Sequence, residues 1–206
     1  MKKITALVGD YWHKGDMIEE ALRQAAGRLE GVTVTFVQHS ELAKALQEKP
    51  DAVVLFKQNP LNAPSEPLDP WMSAEIEQAI LAYVEAGGYW LAWHTGLAGY
   101  DKDGAYVGML RGRFLHHPNM QAVTYSRPDG TELVTLHDEH YFVEVEEGAT
   151  EVYLTSKSAD GEQLAGWTHA YGKGRVDCLA PAHAREALLD PGFQTILAER
   201  LALALA

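Results

Sequence analysis

The sequence predicts a single α/β domain over residues 1–206, with a mainly parallel central sheet, helices on both faces and extra β-hairpins in the second half. Three observations predict it. Strand and helix signals alternate through the first half, as in βαβ units whose crossovers lay helices on a sheet. The strands there are apolar on both faces, as in Val53-Val54-Leu55-Phe56, which suits central parallel strands. The second half shows short strand patterns separated by tight turns such as Pro128-Asp129-Gly130.

Residues 3–9 read as the first buried strand; the run is too short for a secretory leader and meets Asp10 at once. Asp16 caps the next helix with Glu19 as its capping-box partner. The stripe Ile18, Leu22, Ala25, Ala26 and Leu29 has helical spacing, and Gly31 ends it. Residues 32–37 are β-branched and form the second strand. A short helix follows at 40–48, and the third strand at 51–56. Beyond the Pro-rich loop at 59–67, Asp69-Pro70 opens a helix with Asp at the N-cap and Pro at the first position. Its stripe is Ile76, Ala79, Ile80, Tyr83 and Val84, Gly87-Gly88 ends it, and residues 89–93 form the fourth strand.

Residues 95–120 read as a loop with one helical turn. Short strands are expected at 121–125, 132–136, 141–145 and 151–155, and a hairpin at 164–170 and 175–179 around Tyr171-Gly172-Lys173-Gly174. Gly172-Lys173-Gly174 has no phosphate-loop context and is a turn. Asp190-Pro191 opens the closing helix, with Phe193, Ile196, Leu197 and Leu201 on one face.

Composition narrows the partners. With 29 acidic and 17 basic residues the chain carries a net charge of −12. That argues against nucleic acid, which calls for clustered Lys and Arg, and against an anionic membrane surface. No apolar run approaches the roughly 18 residues of a membrane span. The lone cysteine, Cys178, sits in an apolar strand, so it reads as a core residue in a chain of the reducing cytoplasm.

In an open parallel sheet, ligands bind beyond the carboxyl ends of the strands. Those positions hold Asp10, Tyr11, Trp12 and His13 after the first strand, His39 after the second, Lys57, Gln58 and Asn59 after the third, His94 and Thr95 after the fourth, and His183 near the end. Any single histidine here is as well explained by structure; their shared placement points to a site. The sharpest feature is the buried run 88–93 that stops at His94-Thr95-Gly96. This is the pattern of a nucleophile elbow, where a tight turn projects one side chain. An imidazole there excludes a Ser or Cys acyl-enzyme at this position and suits proton transfer or metal binding. Two further clusters are Phe114-Leu115-His116-His117-Pro118, of which one histidine faces the pocket, and His137-Asp138-Glu139-His140-Tyr141. The second reads either as a solvated turn or as the source of a carboxylate base. Trp90 and Trp93 read as core or pocket wall, while Trp12 and Trp71 adjoin loops and read first as core packing, with an apolar platform for a sugar ring as the alternative.

Together, Trp93-His94-Thr95-Gly96, residues 114–118, Asp138-Glu139-His140-Tyr141, the hairpin from Gly166-Trp167 to Arg175-Val176, and His183 before Asp190-Pro191-Gly192-Phe193-Gln194 resemble the ThuA-like family of trehalose-utilisation proteins, within the class I glutamine amidotransferase-like superfamily. The resemblance implies a three-layer flavodoxin-like fold and a role in carbohydrate metabolism, on glycosides or keto-sugars beside a sugar dehydrogenase. Where amidotransferases place cysteine this chain has His94, and His183 falls near their triad histidine, so glutaminase activity is not expected.

The leading expectation is an isomerase, lyase or hydrolase acting on a sugar or keto-glycoside. His94, Glu139 and His183 are its catalytic candidates, and Trp12, His13, Thr95, His117, Asp138 and Tyr141 its substrate-binding ones. A divalent metal such as zinc would be held by His94, His117, Glu139 and His183. The expected partner is a small-molecule carbohydrate, bound by a monomer or a homo-oligomer. The rival is a non-catalytic sugar-binding or regulatory protein on the same fold.

Overall fold

The computed structural model describes residues 1–64 and 66–205. Its strands are β1 (Lys2–Val8), β2 (Val32–Phe36), β3 (Ala52–Phe56), β4 (Tyr89–Trp93), β5 (Gly112–His116) and β6 (Gln121–Ser126). They continue with β7 (Glu132–Asp138), β8 (Phe142–Val145), β9 (Glu151–Ser158), β10 (Gly161–Tyr171) and β11 (Gly174–Leu179). The helices are α1 (Gly15–Ala26), α2 (Leu42–Gln47), α3 (Ala74–Glu85), α4 (Ala105–Leu110), α5 (Arg185–Leu188) and α6 (Pro191–Ala204).

One nine-stranded sheet runs β2-β1-β3-β4-β11-β10-β9-β6-β7. Its first five strands are parallel, and from β11 onward every neighbour is antiparallel. α1, α5 and α6 pack together, as do α2, α3 and α4, giving helix–sheet–helix layers. β5 and β8 form a separate ribbon. β3 and β4 are buried along their whole length, as strands covered on both faces must be. Trp90, Trp93, Trp167, Tyr106, Tyr125, Phe56 and Phe193 are fully enclosed around them. No helix among the described residues is long and apolar enough to cross a membrane.

Several local expectations are corrected. α1 starts at Gly15 with Lys14 at its N-cap and no side-chain cap; Asp16 sits inside the first turn. The helix closes at Gly27, whose N–H reaches back to Arg23, four residues before Gly31. Asp69-Pro70 opens no helix. Trp71 is buried and its indole N–H donates to the Gln58 carbonyl at 3.0 Å, which pins the preceding loop in extended form. The N-cap role passes to Ser73, whose hydroxyl accepts from Ile76 N. Residues 95–120 hold both α4 and β5, because β5 is stabilised by pairing with distant β8 rather than by a local pattern. Asp190 does cap α6, accepting from Gly192 and Phe193.

Candidate active site

The site forms where β1, β3, β4 and β11 end side by side. β4 stops at Trp93, and His94 then takes φ +48°, a left-handed backbone that costs about 1–3 kcal/mol in a residue other than glycine. A 3-10 turn, His94–Leu97, follows. The turn lies low on β3: a Cβ on Gly96 would stand 2.3 Å from the Leu55 carbonyl oxygen. Only glycine permits that approach.

His94 is fully buried. β4 and β11 are in register up to Trp93 and Leu179, so the next residues adjoin, and His94 Nδ1–H donates to the Ala180 carbonyl at 2.7 Å. Nε2 keeps its lone pair. The Tyr141 hydroxyl donates to it at 3.1 Å, and the Tyr141 ring stacks on the imidazole with centroids 4.2 Å apart. Burial pushes the His94 pKa down to about 4, against the pull of Glu139, so the ring is neutral at pH 7.

Glu139 lies among three imidazoles. Its Oε2 is 3.3 Å from His183 Nδ1 and 3.6 Å from His94 Nε2, while Oε1 is 3.5 Å from His117 Nε2. Burial acts to raise the Glu139 pKa, but the imidazoles of His183 and His94 together outweigh it and hold the group well below the ordinary carboxylate range. Burial likewise acts to lower His183, and Glu139 reverses it, so His183 titrates higher than an ordinary histidine.

His13 arrives from the loop after β1. Its Nε2 meets His183 Nδ1 at 2.8 Å, and its Nδ1–H donates to Asp10 Oδ1 at 2.7 Å. Burial acts to raise Asp10, yet His13 and backbone donors bring it to about 2. Behind the cluster Asp138 is fully enclosed. Its Oδ1 accepts from His183 N at 2.8 Å and its Oδ2 from the Tyr125 hydroxyl at 2.9 Å, and burial lifts its pKa to about 6. His13, His94, Glu139 and His183 thus each present a ligand-capable atom, all within 4.8 Å of one another.

The sequence signature of the ThuA family, described as trehalose utilisation, matches residues 5–202. The chain belongs to the ThuA family. Its fold resembles a ThuA-like protein from Parabacteroides merdae at TM-score 0.76 and 16% identity, covering 100% of this chain and 90% of that one. A cytoplasmic protein from Salmonella typhimurium LT2 superposes at TM-score 0.67 and 16% identity, over 99% of this chain and 100% of that one. A beta-galactosidase from Bacillus circulans matches at TM-score 0.68 and 9% identity, over 98% of this chain but only 31% of that one. At such identities the likeness is one of fold. No curated protein matches the sequence.

In this ThuA-family chain His94 and His183, expected at strand ends, meet Glu139, which follows β7 rather than opening a strand. His13, expected only beside the substrate, completes the tight quartet in place of His117. His117 stands at the rim with its side chain 38% exposed, facing the far oxygen of Glu139. His116 turns the other way and stacks on Phe142 at 4.7 Å, so His117 is the member of that pair at the site. Tyr141 is the wall behind His94. Trp12, in the loop just before His13, is 57% exposed and edge-on to Tyr11.

Three residues expected to touch substrate are enclosed instead: Tyr141 against His94, and Asp138 and Thr95 deeper in the fold. Asp138 is fully buried, with its oxygens committed to His183 N and Tyr125. Thr95 is buried in the turn beneath His94, its hydroxyl toward Asp10 but without a partner at hydrogen-bond geometry. His140 is also removed from the cleft, held between Ser158 and Ser156 at 2.7 and 3.0 Å. Reading the sequence missed Asp10 as the partner of His13; its place directly after the first strand, three residues before a histidine, is the signal that marks it.

A neutral imidazole, an ionised carboxylate and an imidazole biased toward its charged form place two proton acceptors beside a proton donor. Cys178 takes no part: it is enclosed in β11, its Sγ 3.8 Å from the Leu110 carbonyl oxygen.

Proposed function

We propose that this chain is an enzyme of carbohydrate metabolism that isomerises or eliminatively cleaves a keto-sugar or oxidised glycoside through the His13–His94–Glu139–His183 cluster. The observation that carries the reading is that cluster itself: three imidazoles and a carboxylate converge at the carboxyl edge of the sheet, and the elbow bears no nucleophile. The family's trehalose-utilisation description supports a sugar as the substrate. A sugar ketone acidifies the adjacent C–H, so a positioned base suffices to begin isomerisation or elimination.

The donor set also fits a divalent metal such as zinc. In a tetrahedral zinc site, bonds of about 2.1 Å place ligand atoms roughly 3.4 Å apart. Glu139 Oε2 already stands 3.3 and 3.6 Å from His183 and His94. The outer nitrogens of two ligands are tied to protein acceptors, His13 to Asp10 and His94 to the Ala180 carbonyl, as metal-binding histidines are. When bound, such an ion would polarise the substrate carbonyl. The chain's own residues do the rest. Glu139 Oε1, turned toward His117, takes the proton, and His117 passes it between cleft and solvent. Tyr141 fixes the plane of His94, and Trp12 offers its exposed face to the sugar.

The test is turnover of keto-glycosides by protein purified without a His tag, with elemental analysis of the same sample. About one equivalent of metal and loss of turnover in His94→Ala are expected. Unchanged turnover in His94→Ala would remove this cluster from the reaction.

A further inference from the structure

Asp10 lies two residues beyond the end of β1, its side chain fully buried. Gly9 before it has φ +89°, and a Cβ there would come within 3.0 Å of Gly15 Cα, so the chain turns tightly and holds the carboxylate in place. Four donors converge on Asp10. Oδ1 receives Trp12 N at 3.0 Å, His13 N at 3.1 Å and His13 Nδ1 at 2.7 Å; Oδ2 receives Gln58 N at 3.1 Å. The Gln58 contact follows from the register of β1 and β3, which pairs Val8 with Phe56.

An ionised carboxylate accepts and never donates. The His13 nitrogen facing it must therefore carry the proton, and in the neutral ring the other nitrogen then carries none. We propose that Asp10 is a positioning residue that locks His13 in its Nδ1–H tautomer, so that a lone pair on Nε2, rather than an N–H, is presented to the cluster. His13 Nε2 accordingly accepts from His183 Nδ1–H across 2.8 Å. The Asp10 side chain is itself enclosed, and its bond to His13 Nδ1 is its link to the cluster. A carboxylate behind a histidine fixes its ring and makes its free nitrogen the better ligand and base. The consequence for metal affinity rests on the function proposed above, whereas the tautomer does not.

The experiment follows that division. Histidine ring nitrogens are observed by two-bond proton–nitrogen correlation in the metal-free, isotope-labelled protein. Wild type is expected to show His13 with Nδ1 protonated and Nε2 bare; Asp10→Ala is expected to show the Nε2–H form or a mixture. In parallel, cobalt(II) is titrated into wild type and Asp10→Asn, following the visible ligand-field bands. A 10- to 100-fold loss of affinity is expected for Asp10→Asn, with far-ultraviolet circular dichroism unchanged. Asp10→Asn serves both measurements if Asp10→Ala does not fold. A wild-type His13 protonated on Nε2, or variants that keep both tautomer and cobalt affinity, overturns the proposal. If wild type takes up no cobalt or zinc, the metal part of the proposed function fails, and the nitrogen spectra still decide the role of Asp10.

Discussion

His13 Nε2 and His183 Nδ1 stand 2.8 Å apart although 170 residues separate them in the chain. One comes from the first strand's end and the other from beyond the last, and the parallel order β1-β3-β4-β11 brings them together. A cluster assembled this way has its chemistry and its stability coupled, and the following outcomes are expected.

His94→Asn should separate fold from function. Asparagine tolerates the left-handed backbone that His94 adopts at φ +48°, so the elbow survives while the Nε2 lone pair disappears. Turnover of a keto-glycoside is expected to fall by about 100-fold or more, with the melting temperature shifted by only a few degrees. A variant with near wild-type turnover contradicts the role given to His94.

The same ring should make stability depend on pH. Its folded pKa, about 4, lies below the ordinary 6.5, so as pH falls the unfolded chain takes up the proton first. The stability associated with the neutral ring is complete above pH 6.5 and is lost progressively toward pH 4. Urea unfolding of the metal-free protein between pH 7 and pH 5 should show wild type losing about 2 kcal/mol more than His94→Asn. Parallel losses in the two proteins would mean the ring titrates normally.

Asp138 has the opposite sign. Burial raises its folded pKa from 3.8 to about 6, so its favourable contribution is present below pH 3.8 and is lost as pH rises through 6. Asn at this position can still accept from His183 N and donate to Tyr125. Asp138→Asn is therefore expected to be more stable than wild type by about 1–2 kcal/mol at pH 8 and to show little gain at pH 4. Melting curves at the two pH values check it, and a destabilised variant at pH 8 would refute it.

Two glycines should respond in opposite directions to alanine. On Gly96 the added Cβ meets a backbone carbonyl at 2.3 Å, whereas on Gly108 nothing lies within 4 Å. Gly96→Ala should cost more than about 2 kcal/mol and disturb the elbow. Gly108→Ala, inside α4, should gain about 0.5–1 kcal/mol from helix propensity. Chemical unfolding of both variants measures the contrast.

Far from the cleft, Asp177 is fully buried and bonded by Arg200 Nε at 2.7 Å and by the Tyr89 hydroxyl. Arg200→Met strands that carboxylate without its cation and is expected to cost about 3–5 kcal/mol. A loss below about 1 kcal/mol would show that the carboxylate simply takes up a proton.

The parallel half was legible in the chain because its strands are local apolar runs, and Val53-Val54-Leu55-Phe56 and Tyr89-Trp90-Leu91-Ala92-Trp93 are buried as such runs require. What escaped was set by partners distant in sequence. β5 exists through β8. The helix start expected at Asp69-Pro70 yielded to the anchoring of Trp71 on Gln58. The cap expected at Asp16 yielded to the Asp10 turn, which delivers the chain into α1 at Gly15.

The sequence alone determined the fold class, the histidine in place of an elbow nucleophile, and the gathering of histidines at strand ends, since alternating patterns and strand termini are local properties. Only the tertiary structure decided which side chains meet. It set His13 rather than His117 in the tight quartet, turned Asp138 inward, and placed Asp10 behind His13. Those choices depend on strand register and on where each buried polar atom finds its partner, and both arise only once the whole sheet is assembled.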